Sequence, residues 1–150
     1  MENQHITIRS YDAATDLANL SAIWLDASLM AHPFIGKPRL MEQQKLIEGE
    51  YLPNSETWVA CHGDRSVGFI SLLGDFVGGI FIAPDWQGRG IGRRLIDHAL
   101  RQKGALSLEV YTRNEQAMRF YSALGFREVS RRAVDDLGYP YENARLHLKA

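Results

Sequence analysis

Apolar residues change their spacing several times along this chain, and each change predicts an element. Residues 5–9 (HITIR) alternate apolar with polar and predict a short opening strand. From Asp12, a helix-capping residue type, Leu17, Leu20, Trp24, Ala27 and Ala31 recur at helical spacing. His32-Pro33 ends that helix, because the residue before proline avoids the helical region. A second helix is predicted over about 38–50, starting with Pro38 and stopping near Leu52-Pro53. Three strand-like runs follow, TWVAC (57–61), SVGFISLL (66–73) and FVGGIFIA (76–83). Gly63-Asp64 and Gly74-Asp75 punctuate them as tight turns, which makes them antiparallel neighbours.

Beyond residue 90, Ile91, Leu95 and Ala99 line one face of a helix that runs to about Lys103 and stops at Gly104. LSLEVYT (106–112) predicts a strand, Asn114 to about Leu124 a helix with Gly125 as its stop, and FREVSRRAV (126–134) and ARLHLK (144–149) two closing strands. The order is β-α-α-β-β-β-α-β-α-β-β, a mixed α/β chain with a largely antiparallel twisted sheet. Its one βαβ crossover requires a parallel pair around residues 76–112.

Bulk composition narrows the function classes. The 150 residues suit one domain with a real core, and 45% of them are apolar. Seventeen basic against eighteen acidic residues leave a net charge of −1, so nucleic acid and anionic membrane are not expected partners and any anion binding is local. Cys61 is the single cysteine, which excludes an internal disulfide and a multi-cysteine zinc site. It lies in an apolar run and reads as a buried, inert thiol. His5, His62, His98 and His147 are scattered without metal-ligand spacing, so no metal is expected. MENQHITIRS lacks a signal pattern and no run reaches membrane-spanning length, so a cytoplasmic protein is expected.

One segment conflicts with stability. In DWQGRGIGRRL (85–95), Gly88, Gly90 and Gly92 alternate where a helix begins, and Arg89, Arg93 and Arg94 crowd its positive end. A glycine inside a helix costs about 1 kcal/mol relative to alanine, and the helix start favours anions over cations. Bare amides at that end would hold a phosphate, with arginines flanking it. A turn whose glycines serve only close packing is the structural alternative. A dinucleotide site has partial support, since Glu109 follows Gly88 by 21 residues. Against it, the spacing is G-x-G-x-G, Pro84-Asp85-Trp86-Gln87 separate strand from glycine, and too little chain remains for a second mononucleotide half. No Gly-Lys-Ser/Thr follows, which excludes a Walker A loop.

The run Ile80-Phe81-Ile82-Ala83-Pro84-Asp85-Trp86-Gln87-Gly88-Arg89-Gly90-Ile91-Gly92 resembles the acyl-CoA signature of the GCN5-related N-acetyltransferase (GNAT) family. Leu108-Glu109-Val110, Asn114, Tyr121 and Leu124-Gly125-Phe126 are similar to the strand and helix that follow it in that family. The stretch from Ile23-Trp24 to His32 and the run Val134–Tyr141 resemble its small bacterial YjaB-type members. The resemblance implies a GNAT-like fold over residues 1–150 and acetyl-CoA as cosubstrate. It implies that Gly88, Arg89, Gly90, Ile91, Gly92 and Arg93 hold the pyrophosphate, and that Ile80, Phe81 and Ile82 pair with the pantetheine arm. The amide near Ile82 would face the thioester carbonyl, and Gly78-Gly79 would bulge the strand and splay it from its parallel neighbour.

For the chemistry, the resemblance makes Tyr121 the acid that protonates the leaving thiolate. Ala117, Phe120, Tyr121 and Leu124 also form a helical stripe in which the tyrosine could simply pack. Glu109 is the candidate base, or a strand carboxylate in an ion pair. Asn114 would face the pantetheine arm, cap its helix, or do both. On the acceptor side, His32 is a titrating group or a helix end, and Asp135 and Asp136 attract a cationic amine or only face solvent. The reading is an N-acetyltransferase acting on a small-molecule or protein amine by direct attack, as a monomer or homodimer. A non-catalytic acyl-CoA sensor and a dinucleotide enzyme are the alternatives.

Overall fold

The computed structural model describes residues 5–150. Its strands are β1 (Ile6–Ser10), β2 (Glu56–His62), β3 (Arg65–Leu73), β4 (Phe76–Ile82), β5 (Ala105–Tyr111), β6 (Arg127–Arg132) and β7 (Asn143–Lys149). Its α-helices are α1 (Ala13–Ala31), α2 (Lys37–Leu46), the single turn α3 (Leu52–Asn54), α4 (Ile91–Lys103) and α5 (Glu115–Ala123). The strands form one seven-stranded sheet of order β1-β2-β3-β4-β5-β7-β6. β2, β3 and β4 are antiparallel neighbours, as the tight turns require, β1 adds antiparallel to β2, and among the described residues the one parallel pair is β4 with β5. β7 lies between β5 and β6, antiparallel to both.

Alternation within the strands feeds two cores, one on each face. On one face, Leu20, Trp24, Leu40 and Leu52 from the first three helices pack on Val59, Cys61 and Phe69. On the other, Ile91, Leu95, Ile96 and Ala99 of α4 and Tyr121 of α5 pack on Ala60, Ile70, Leu106 and Leu108. Local signals set the helix ends. The Asp12 side chain accepts the Ala14 N–H at 3.0 Å, and Gly104 ends α4 at φ 80°. Arg9 grips the buried Asp16 carboxylate through two bonds of 2.7 and 2.8 Å, tying β1 to α1.

Two boundaries differ from the sequence reading. The second helix does not stop at Leu52-Pro53. Pro53 offers no N–H to the preceding turn, and the backbone widens into a π turn over Ile47–Tyr51, with the Leu52 N–H on the Ile47 carbonyl. The helix then continues to Asn54. The strand expected over 126–134 contracts to Arg127–Arg132. At its start the Phe126 N–H is taken by the Tyr121 carbonyl (3.1 Å), and at its end Asp135 gathers a turn around itself. Val129 bulges out, since Glu128 faces Leu146 and Ser130 faces Arg145.

Candidate functional site

The parallel pair is brief. β4 and β5 match only at Phe76 with Ser107 and Val77 with Leu108. Immediately beyond, Leu72 of β3 faces Val77 while Ser71 faces Gly79, so Gly78 is an extra residue that bulges β4. Past the bulge β4 follows β3 and leaves β5, and the sheet opens. The Ala83 N–H bonds the Val67 carbonyl at 2.9 Å, and Phe81 pairs with Phe69. In an antiparallel ladder the neighbouring backbone groups point the other way. Those of Ile80 and Ile82 therefore face the opening, and the Ile82 carbonyl is already claimed by the Gln87 side-chain amide at 3.1 Å.

Phe81 departs from its expected role. Its backbone is committed to β3, and its ring folds back over Gly79, where a Cβ would collide with it. The ring packs against Trp24 and Phe69 and lines the opening as a wall.

The opening leads into the glycine turn. Gly88 and Gly90 adopt left-handed backbone, φ 76° and 81°, with open space where a Cβ would point. Gly90 is the N-cap of α4 and supplies no side-chain cap, so the first amides of the helix are free for an anion. Gly92 is bare for a different reason: a Cβ there would lie 3.0 Å from Phe120 Cζ of α5. Packing therefore accounts for one of the three glycines and backbone conformation for two. Arg93 lines the resulting cleft, whereas the Arg89 guanidinium stacks on the Trp86 ring at 4.6 Å.

This cleft encloses about 640 Å³ and is walled by β4, the glycine turn, β5, α5 and the end of α1 at Ala27, Ala31 and His32. Tyr121 lies on its wall, its ring set against Phe120 and Phe126 with centroids at 5.2 and 5.4 Å. Burial alone pushes its phenol well above the ordinary tyrosine range, and among the described residues nothing hydrogen-bonds the hydroxyl. Asn114 caps α5 through its carbonyl oxygen, which accepts the Ala117 N–H at 3.1 Å, and lines the cleft as well. Its amide nitrogen lies 3.4 Å from His32 Nε2.

A second cavity of about 370 Å³ lies on the opposite face of the sheet, under the α1 side. The two cavities share His32, Val77, Gly78, Gly79, Phe81, Glu109, Val110 and Tyr111, so the splay is a passage through the sheet. Alternation along β5 sends Leu106, Leu108 and Val110 to the α4 face and Glu109 and Tyr111 to the other. Tyr121 and Glu109 are thus brought to one passage from opposite faces.

Glu109 is not a free carboxylate. Arg132 donates to it at 2.7 Å and the Arg145 guanidinium lies 3.7 Å away. Asp136 is exposed and also pairs with Arg132. Asp135 is buried, and its oxygens accept from the Tyr111 hydroxyl and from the amides of Leu137 and Tyr139, each at 3.0 Å. It therefore holds the β6–β7 loop to β5. His32 ends α1, its N–H bonding the Ser28 carbonyl, and its ring meets Tyr111 edge-on at 5.0 Å. Burial lowers its pKa to about 4, so the imidazole is neutral near pH 7. Sequence reasoning missed Tyr111 and Arg132. The period-two pattern of β5 was enough to put Tyr111 beside Glu109; nothing local paired Arg132 with it. Among the described residues no group of histidine, cysteine and carboxylate side chains is arranged to hold a metal, and no helix is long and apolar enough to cross a membrane.

Comparison with known proteins bears on this geometry. The family model described as "Acetyltransferase (GNAT) domain" matches residues 53–128. The peptidyl-lysine N-acetyltransferase YjaB of Escherichia coli is 40% identical over 123 residues, covering 81% of this chain and 83% of that protein. The solution structure of apo-form YjaB from Escherichia coli superposes with a TM-score of 0.86 at 37% identity, covering 95% of this chain and 97% of that one. The Salmonella typhimurium protein yncA, solved with its cofactor acetyl-CoA, has a TM-score of 0.68 at 22% identity over 98% and 94% of the two chains, a likeness of fold.

Proposed function

The chain belongs to the GNAT family of acetyltransferases, and from that premise we propose that residues 1–150 act as one domain in which donor and amine meet at the β4–β5 splay. The activity is acetyl-CoA-dependent N-acetyl transfer. The observation that carries the assignment of the site is the passage itself, because it joins a cleft suited to a phosphate-bearing thioester to a cavity on the other face. Acetyl-CoA supplies an activated acetyl group and a thiolate leaving group.

The protein's own groups then divide the work. The outward backbone groups of Ile80 and the Ile82 N–H bind the amide-bearing arm, and the Ile82 N–H stabilises the oxygen that gains charge. One such donor is typically worth about 3 kcal/mol of barrier. The amides from Gly88 to Arg93 hold the pyrophosphate. The Asn114 amide, already set against His32 Nε2, binds the arm from the α5 side. Glu109, approached from the second cavity, takes a proton from the incoming ammonium while Arg132 steadies it. Tyr121, kept protonated by burial, gives its proton to the departing sulfur. The acceptor is a primary amine, and the name of the YjaB relatives supports a lysine side chain in a protein.

The test is thiol release from acetyl-CoA across a panel of amines. Thiol should appear in proportion to added amine, with lysine-containing peptides among the best acceptors. Tight acetyl-CoA binding with no release under any amine would make the chain a sensor and sink this reading.

A further inference from the structure

The second cavity has a rim unlike its floor. Leu46, Tyr51, Leu73 and Leu137 all line it, yet they are 37%, 44%, 43% and 53% exposed. They come from four separate places: the end of α2, the end of the π turn, the end of β3 and the β6–β7 loop. The π turn takes part here, since Tyr51 at its end, Ile47 at its start and Leu52 just beyond it all line the cavity. Large apolar side chains that converge from distant segments and remain wet mark a surface that something covers.

The floor offers little to a polycation. Glu109 and Asp136 both pair with Arg132, and every Asp135 contact is internal. One ammonium can share Glu109 with Arg132; a second or third finds no unengaged carboxylate among the described residues lining the cavity. A polyamine or a multiply charged sugar is therefore a poor fit. A lysine side chain suits the profile, since its four-carbon stem lies along apolar wall and only its tip is charged.

Resting on the reading that this cavity takes the acceptor, we infer that the rim selects a peptide in which an apolar residue sits next to the acetylated lysine. The occupant of the rim is that neighbouring side chain, and the rim is continuous with the passage where transfer takes place. Leu46 and Leu137 then decide which lysines are acetylated, without touching the reacting atoms.

The experiment compares peptides carrying a single lysine flanked by leucine or phenylalanine, by glycine, or by aspartate, together with spermidine, in the thiol-release assay on the intact chain. The leucine- and phenylalanine-flanked peptides should exceed the glycine-flanked one in kcat/KM by about tenfold, a contact of modest apolar area. Leu46→Ser and Leu137→Ser should each bring that ratio towards one by raising the KM of the apolar-flanked peptides. Both positions are exposed, so an unshifted melting temperature accompanies the loss. Equal kcat/KM for apolar- and glycine-flanked peptides overturns the inference while leaving acetyl transfer to lysine intact. So does a preference for spermidine, or a ratio the serine variants do not move. No turnover with any acceptor overturns the underlying reading as well.

Discussion

Tyr121→Phe separates packing from chemistry because the structure divides the side chain so unevenly. The ring is 8% exposed and set between Phe120 and Phe126, and a phenylalanine keeps both contacts. The oxygen has no hydrogen-bond partner among the described residues, so its removal leaves no orphaned group. Folding stability should therefore change by less than about 1 kcal/mol. Acetyl-CoA affinity should hold, since the groups proposed to hold its phosphates and arm lie on β4 and the glycine turn. Turnover should fall roughly 100-fold, or about 2.7 kcal/mol of barrier, the ordinary worth of a general acid.

The pH dependence adds a second check on Tyr121. A phenol raised above its unfolded value near 10 contributes stability that is present below pH 10 and lost as pH rises towards the folded value. Tyr121→Phe should consequently soften the alkaline loss of stability while leaving neutral stability alone. The assays are thiol release for turnover, titration calorimetry for acetyl-CoA and urea melts at pH 7 and 10. Normal turnover in a variant that folds and binds would refute the acid role and return Tyr121 to the core.

Further outcomes follow from other groups at the site. Gly90→Ala, at φ 81°, should lose about 1–2 kcal/mol of stability through left-handed strain yet still be stabilised by acetyl-CoA. Gly90→Glu should lose that ligand shift, which for the parent is about 2.7 kcal/mol at a hundredfold excess over Kd. Equal shifts in the two variants, or an equal shift from NAD, would contradict the phosphate assignment. Glu109→Gln should slow turnover most at pH values where the acceptor amine is protonated, and a uniform loss across pH would leave Glu109 as the Arg132 partner alone. The half-buried His32, with a folded pKa of about 4 against 6.5 when free, contributes stability that is complete above pH 6.5 and declines as pH falls towards 4. His32→Gln should therefore lose about 2 kcal/mol less stability than the parent between pH 7 and 5, read by urea melts; parallel losses would contradict its burial as a neutral ring.

What the sequence determined by itself was whatever neighbours within a few residues decide. Period two and period 3.6 placed the strands and the long helices, because a side chain's face follows from its own backbone. Asp12 and Asn114 as caps, and Gly104 as a stop, were legible because capping is a bond to an amide two to four residues away. The alternating glycines at 88, 90 and 92 announced bare amides at a helix start, and the family resemblance put a bulge at Gly78-Gly79; the left-handed backbone at 88 and 90 came only from the structure.

Tertiary structure alone decided everything that depends on a distant partner. No periodicity says that β7 inserts between β5 and β6, and that insertion is what sets Arg132 and Arg145 beside Glu109. Gly92 looked like its two neighbours in sequence, but it is Phe120, 28 residues on in another helix, that crowds the space a Cβ would take there. Asp135 looked like a charge for attracting an amine, and Tyr111 turned it into an internal clasp. The passage itself is a space between two strands that hydrogen-bond at one end and separate at the other. Its walls come from both faces of the sheet, so only the assembled chain contains it.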